Sequence, residues 1–200
     1  MKRIALLCLL LPTAAFSQQY NDSILAHRKH YKEEFITEER SPLKGNDTAN
    51  LRFYNPDKKY KVLAKITLTP DSPSFEMPTH SGKTKKFRQY GIATFKLNGK
   101  TITLNVYQNQ KLLEQDKYKN HLFIPFTDQT TYTETYGGGR YIDLETTDII
   151  NDTLVIDFNK CYNPYCAYAG GYNCPVPPVE NRLKVAIKAG EKLYAGKHKE

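Results

Sequence analysis

Three of the four cysteines, Cys161, Cys166 and Cys174, fall in one stretch from Asp157 to Lys192, interleaved with Pro164, Pro175, Pro177 and Pro178. Thiols this close suggest three chemistries. A nucleophilic Cys166 would need a base, and His121 is the most plausible histidine. Zinc held by the three thiols and His121 would use ordinary ligand types, but the gaps between the cysteines fit no common short zinc motif. A disulfide is the third option, and Cys166 with Cys174 is the favoured pair, because Gly170 and Gly171 let the intervening chain turn back. By loop-closure entropy so small a ring is worth about 2.5 kcal/mol. That pairing leaves Cys161 as a packing residue. No metal site is expected.

The carboxylates Glu134 and Asp157 are the candidates for acid and base work, with Cys166 as the third catalytic candidate. Asp157 and Asn159 alternate with Phe158, so both leave the same face of a strand. Upstream, Gly137, Gly138 and Gly139 precede Arg140, a pattern able to present backbone N–H groups and a guanidinium to a carboxylate or phosphate. A tight turn using glycine for positive φ explains the same residues without a ligand. The run lacks the lysine and Ser/Thr of a nucleotide-binding P-loop. The expected ligand-binding set joins this turn to the proline loop: Tyr136, Gly137, Gly138, Gly139, Arg140, Asn159, Asn163, Tyr165, Glu180, Asn181 and Arg182. In the purely structural alternative, Arg182 reaches Asp157 or Glu134 and locks the loop to the sheet. No cofactor is implied.

These residues need a framework, and the chain supplies a β-rich one. Lys2 and Arg3, the apolar run Ile4–Leu11 and small residues to Ser17 read as a secretory leader cut after Ser17, leaving residues 18–200 as a single domain. Cys8 sits inside the apolar run, which disfavours lipidation. No later stretch approaches the ~20 apolar residues of a membrane helix. The formal charge of +8 includes Lys2 and Arg3, and the remaining lysines are dispersed. Their densest group, Lys83, Lys85, Lys86 and Arg88, reads as a solvated loop, and no motif supports nucleic-acid binding.

A helix is expected over about residues 23–39, with Ile24, Arg28, Tyr31 and Phe35 on one stripe and Ser41-Pro42 as its stop. His27 and His30 share that helix without a partner motif. Period-two alternation then marks strands over about residues 52–190. Val62, Ala64, Ile66 and Leu68 form one apolar face, and Pro70, Pro73 and Pro78 break the next piece into an edge strand or irregular segment. Asn98-Gly99 predicts a type I′ hairpin pairing Leu97 with Lys100, Phe95 with Ile102 and Ala93 with Leu104. Leu122–Phe126 is a further strand, and Thr130–Leu144 a second hairpin turning at Gly137–Gly139. Leu154, Ile156 and Phe158 lead into the proline loop, and Leu183, Val185 and Ile187 mark a last strand. The fold class is mainly β (α+β): a small antiparallel barrel or sandwich with an N-terminal helix and a long proline/cysteine loop.

The segments ETYGGGRY (134–141), DFNKCYNPYCAY (157–168) and CPVPPVENRL (174–183) resemble those of the uncharacterised bacterial proteins grouped as domain of unknown function 1684. SPL (41–43), FYNPDKKYKV (53–62) and LFIPFTD (122–128) fit the shorter, exported form of that family. The resemblance implies a shared fold and surface, but no activity. It also implies that Cys161 is incidental, since family members often carry alanine there. The functional expectation is an exported, periplasmic or secreted binding or accessory module for a small anionic or polar ligand. The alternative is a hydrolytic or redox enzyme using the same cleft.

Overall fold

The computed structural model describes residues 12–200. The first eleven residues of the expected leader lie outside the described residues, and the expected cleavage point after Ser17 falls within the first helix. That helix, α1, runs from Pro12 to Thr37, starting earlier than the apolar stripe alone marks. Ile24, Arg28 and Phe35 are buried as the stripe requires.

The protein is mainly β: the helix lies beside a curled antiparallel sheet that forms a half-barrel. Its strands are β1 (Lys61–Leu68), β2 (Ser74–Pro78), β3 (Thr84–Leu97), β4 (Lys100–Asn109), β5 (His121–Phe126), β6 (Arg140–Glu145) and β7 (Thr153–Asp157). The order across the sheet is β6-β5-β4-β3-β1-β7, with β2 beside the first half of β3. The Asn98-Gly99 hairpin has the expected register, with Leu97 opposite Lys100, Phe95 opposite Ile102 and Ala93 opposite Leu104.

The curl originates in β3. Its ladder with β4 slips between Gln89 and Gly91, and a bulge of this kind bends a strand and increases its twist. Before the slip β3 pairs with β2, and after it with β1. Gly91 permits the close approach, because a Cβ there would stand 2.8 Å from the Thr67 carbonyl oxygen. The concave face holds the main core, including Ile66, Phe95, Leu104, Ile124, Leu154 and Phe158. A second cluster, Met77, Phe87, Tyr107, Phe123 and Tyr141, lies on the outer face. The proline loop docks there. Val176 donates its N–H to the Pro78 carbonyl, and His80 donates its own to Cys174.

Three expected elements differ. Leu183–Ile187 is not a strand, although its alternate side chains are buried. Its first half makes only isolated main-chain bonds to the segment after β5, the Leu183 N–H donating to the Thr127 carbonyl and the Val185 carbonyl accepting from Gln129. Beyond it side chains take over: the Ile187 N–H donates to Asp128 Oδ2, while the Ile187 and Ala189 carbonyls accept from Arg140. The Thr130 half of the second hairpin is a turn, because Asp128 Oδ1 accepts from the Thr130 N–H and from the Thr130 and Thr131 hydroxyls. β6 pairs with β5 instead. Lys85, Lys86 and Arg88 stand on β3 rather than in a loop.

Candidate functional site

The expected turn-and-loop site does not converge on one opening. Arg140 is 1% exposed, and its guanidinium pairs with buried Asp128 at 3.2 Å. The same group donates to the carbonyls of Ile187, Ala189 and Glu191, so both its terminal nitrogens are already engaged by the protein. The Gly137–Gly139 run is a tight turn: the Gly139 N–H donates to the Tyr136 carbonyl, and Gly139 has φ +84°. Tyr136 donates its hydroxyl to the Cys166 carbonyl.

Asn181 is fully buried and bridges β4 and β5, accepting from the Asn105 N–H and donating to the Asn105 and Pro125 carbonyls. Asn163 is also buried, donating to the Lys192 carbonyl. Glu180 and Arg182 are exposed, and Arg182 forms no ion pair with Asp157 or Glu134. Glu134 pairs with Lys188 at 2.9 Å and accepts from Tyr54, with Lys188 holding its carboxyl below the usual range. Cys166 is bonded to Cys174, with Cα atoms 6.2 Å apart, so it presents no thiolate. Cys161 is buried and free, and burial pushes its thiol up to about 11.

The large cavity lies elsewhere. A cleft of about 1190 Å³ opens between α1, the outer ends of β6 and β7, and the proline loop. Asp157, Tyr165 and Cys174 are the residues of the expected set that reach it. Six tyrosines line it: Tyr20, Tyr31, Tyr141, Tyr162, Tyr165 and Tyr172. From α1 come Tyr20, Ser23, His27, Tyr31 and Glu34. Their spacing of three and four residues is itself a helical stripe, lying beside the apolar one. That stripe was readable in the sequence, though its polar and aromatic types do not announce burial.

The charged groups of the cleft divide by sign. Its carboxylates are already engaged. Asp157 accepts from Tyr20 at 3.0 Å and from the Asn159 N–H and side-chain amide. Asn159 thereby joins α1 to the β7 end, and it also accepts from the Asp57 N–H. Asp143 lies between the Tyr162 hydroxyl and His121 Nε2, the latter at 3.0 Å. Asp148 accepts from the Glu145 N–H, and Glu34 faces His30 at 3.4 Å. The cations Arg40, Lys61, Lys85 and Lys160 form no ion pair among the described residues. Desolvation lowers the Lys85 ammonium below its ordinary range.

Two buried groups support the cleft wall. Glu191 is fully buried, accepting from the Asn163 N–H, Tyr31 and Tyr168, and burial raises its carboxyl to about 7 against those hydrogen bonds. It ties α1 to the C-terminal segment through Tyr31. Arg28, also on α1, stacks over Phe53 at 4.7 Å, and burial lowers its pKa. Its Nε and Nη2 have no hydrogen-bond partner among the described residues.

A profile for the family described as "Protein of unknown function (DUF1684)" matches residues 47–192. The chain belongs to that family. Within this DUF1684 chain the match takes in β1 to β7 and the proline loop, and α1 lies before it. Among solved structures, the chain is similar to an uncharacterised protein of Haloarcula marismortui determined by NMR in solution. The two are 28% identical, with a TM-score of 0.68, covering 90% of this chain and 97% of that one. No curated protein matches the DUF1684 chain. Among the described residues, no helix is long and apolar enough to cross a membrane.

Proposed function

We propose that this DUF1684 protein is an exported binding or accessory module whose cleft beneath α1 takes a polar ligand carrying negative charge. The observation that supports this most directly is an asymmetry of pairing in the cleft. Asp143, Asp148 and Asp157 already accept hydrogen bonds from the protein, whereas Arg40, Lys61, Lys85 and Lys160 form no ion pair among the described residues, Lys61 lying over the Tyr20 ring. Of the four cations, Lys85 is the one that is partly desolvated, and such an ammonium gains more from an incoming anion than the exposed Arg40, Lys61 and Lys160 do. The tyrosines add apolar faces for contact and hydroxyls for orientation. Export accords with the leader-like N-terminus and the Cys166–Cys174 bond, since disulfides persist in oxidising compartments.

Calorimetric titration with small di- and tricarboxylates tests the reading. Lys61→Ala and Lys160→Ala should each weaken binding several-fold, while Arg182→Ala should leave it unchanged. Equal affinities in all these proteins, or loss only in the Arg182 variant, would move the site away from the cleft.

An enzymatic reading has one observation in its favour. Asp143 accepts from His121 Nε2, so in the neutral ring Nδ1 carries the lone pair, and that atom is buried without a partner. A carboxylate-oriented imidazole of this kind is the arrangement of a general base, and His121 lines a smaller pocket of about 210 Å³ that shares Asp143 and Tyr162 with the cleft. Turnover lost in His121→Gln with ligand affinity retained would favour catalysis over binding alone.

A further inference from the structure

The curl of the sheet leaves its two end strands, β6 and β7, facing the cleft without a strand between them. In an antiparallel ladder, successive residues point their N–H and C=O groups alternately toward and away from the neighbour. The Ile66 N–H donates to the Asp152 carbonyl, so residues 152, 154 and 156 turn toward β1. Thr153, Val155 and Asp157 therefore turn to the open side. Thr153 exchanges both bonds with Ile150. On that side the N–H and C=O of Val155 and the N–H of Asp157 have no strand partner among the described residues, and both residues line the cleft. On β6, Tyr141 exchanges both bonds with Tyr162, so Asp143 faces the same gap, again unpartnered.

Free strand edges are normally shortened, covered or charged, because they template pairing with another chain. Here the edge is recessed under a helix and stands beside unpaired cations. Lys61 is the cross-strand neighbour of Asp157, and Lys160 follows the strand. On the outer face, Leu63 and Val155 form a cross-strand apolar pair that remains 66% and 42% exposed. The cleft volume of about 1190 Å³ exceeds the upper end of ordinary small-molecule pockets, roughly 1,000 Å³.

We infer that the ligand is an extended peptide segment bearing acidic side chains, bound as an added strand on β7. Resting on the binding reading above, this inference specifies the ligand class. The Val155 and Asp157 N–H groups supply two donors and the Val155 carbonyl an acceptor, the Asp157 carbonyl capping the turn Phe158–Lys160. One row of peptide side chains meets Val155, and its carboxylates meet Lys160 and the long Lys61 side chain that reaches the cleft across β7. Main-chain pairing gives affinity with little sequence demand, and the cations and Val155 select alternate side chains.

The test uses the full chain and a pool of capped random hexapeptides with glutamate fixed at alternate positions. Retained peptides should slow hydrogen exchange at the Val155 and Asp157 amides at least tenfold. Backbone N-methylation of a retained peptide should weaken binding at least tenfold, because it removes the donors that pair with β7. Val155→Pro should do the same from the protein side, since that N–H takes no part in the β1 ladder. If Val155→Pro does not fold, the N-methylated peptides still decide. Failure of the pool to bind, or equal binding of methylated peptides, overturns the added strand. Small carboxylates that still bind in a Lys61-dependent way would leave the binding reading standing alone. Protection of the same amides by self-association without peptide would also overturn it, assigning the edge to a second copy of the chain.

Discussion

Replacing Glu191 by glutamine isolates the cost of one buried charge. Burial raises this carboxyl from an ordinary 4.5 to about 7, the hydrogen bonds from Asn163, Tyr168 and Tyr31 opposing it. The folded protein thus binds this proton more tightly than the unfolded chain does. The associated stability is fully present below about pH 4.5 and is lost as pH rises to about 7. At about 1.4 kcal/mol per pH unit, the gap amounts to about 3 kcal/mol. Glutamine keeps the shape and one acceptor, and its amide can donate to a tyrosine hydroxyl. Urea unfolding of the two proteins from pH 4.5 to 8 gives the measurement. The stability of Glu191→Gln relative to the parent should rise by about 3 kcal/mol across that range. Asp47, Asp57 and Glu134, whose carboxyls are held low, titrate in the opposite sense but cancel in the difference. A pH-independent difference would refute the reasoning, because it would mean that the carboxyl ionises as readily folded as unfolded.

Arg140→Ala leaves Asp128 buried without its cation and should lower stability by about 3–5 kcal/mol, measured by chemical denaturation. Arg140→Met, with a better-packed side chain but the same orphaned carboxylate, should restore only part of that loss. Reducing the Cys166–Cys174 bond should lower stability by about 2.5 kcal/mol. Alkylation without reductant should label no cysteine of residues 18–200 in the folded state and one, Cys161, in urea. Labelling of Cys161 in the folded protein would contradict its burial.

Local pattern made much of the framework readable. Alternation in Val62, Ala64 and Ile66, and turn chemistry at Asn98-Gly99, specify strands whose partners are close in sequence. The Cys166–Cys174 pair followed from a short ring with glycines inside it. The alternation of Leu183, Val185 and Ile187 predicts a last strand, yet Leu183 and Val185 make only isolated bonds to Thr127 and Gln129, and Ile187 is held by the Arg140 and Asp128 side chains. No local rule marks that substitution of side chains for a ladder.

The site was less legible for a related reason. Arg140 beside three glycines has the composition of an anion site, and only the fold shows an aspartate already facing it. Conversely, Lys61, Asp143, Val155 and Lys160 look like ordinary surface residues until the curl of β3 brings β6, β7 and α1 around one opening. The sequence marks Asp157 by its side chain, whereas its place at the cleft edge also rests on its backbone N–H. That distinction depends on ladder phase, which is fixed only once β7 is seen beside β1.

The central claim is that ligand enters beneath α1, between β6 and β7. Chemical-shift mapping of isotope-labelled protein titrated with glutarate, and then with a retained acidic hexapeptide, tests it most directly. The account predicts saturable shifts at Lys61, Asp143, Val155 and Lys160, with the Gly137–Arg140 turn unmoved. Shifts centred on that turn and Arg182, with none around the cleft, would contradict it.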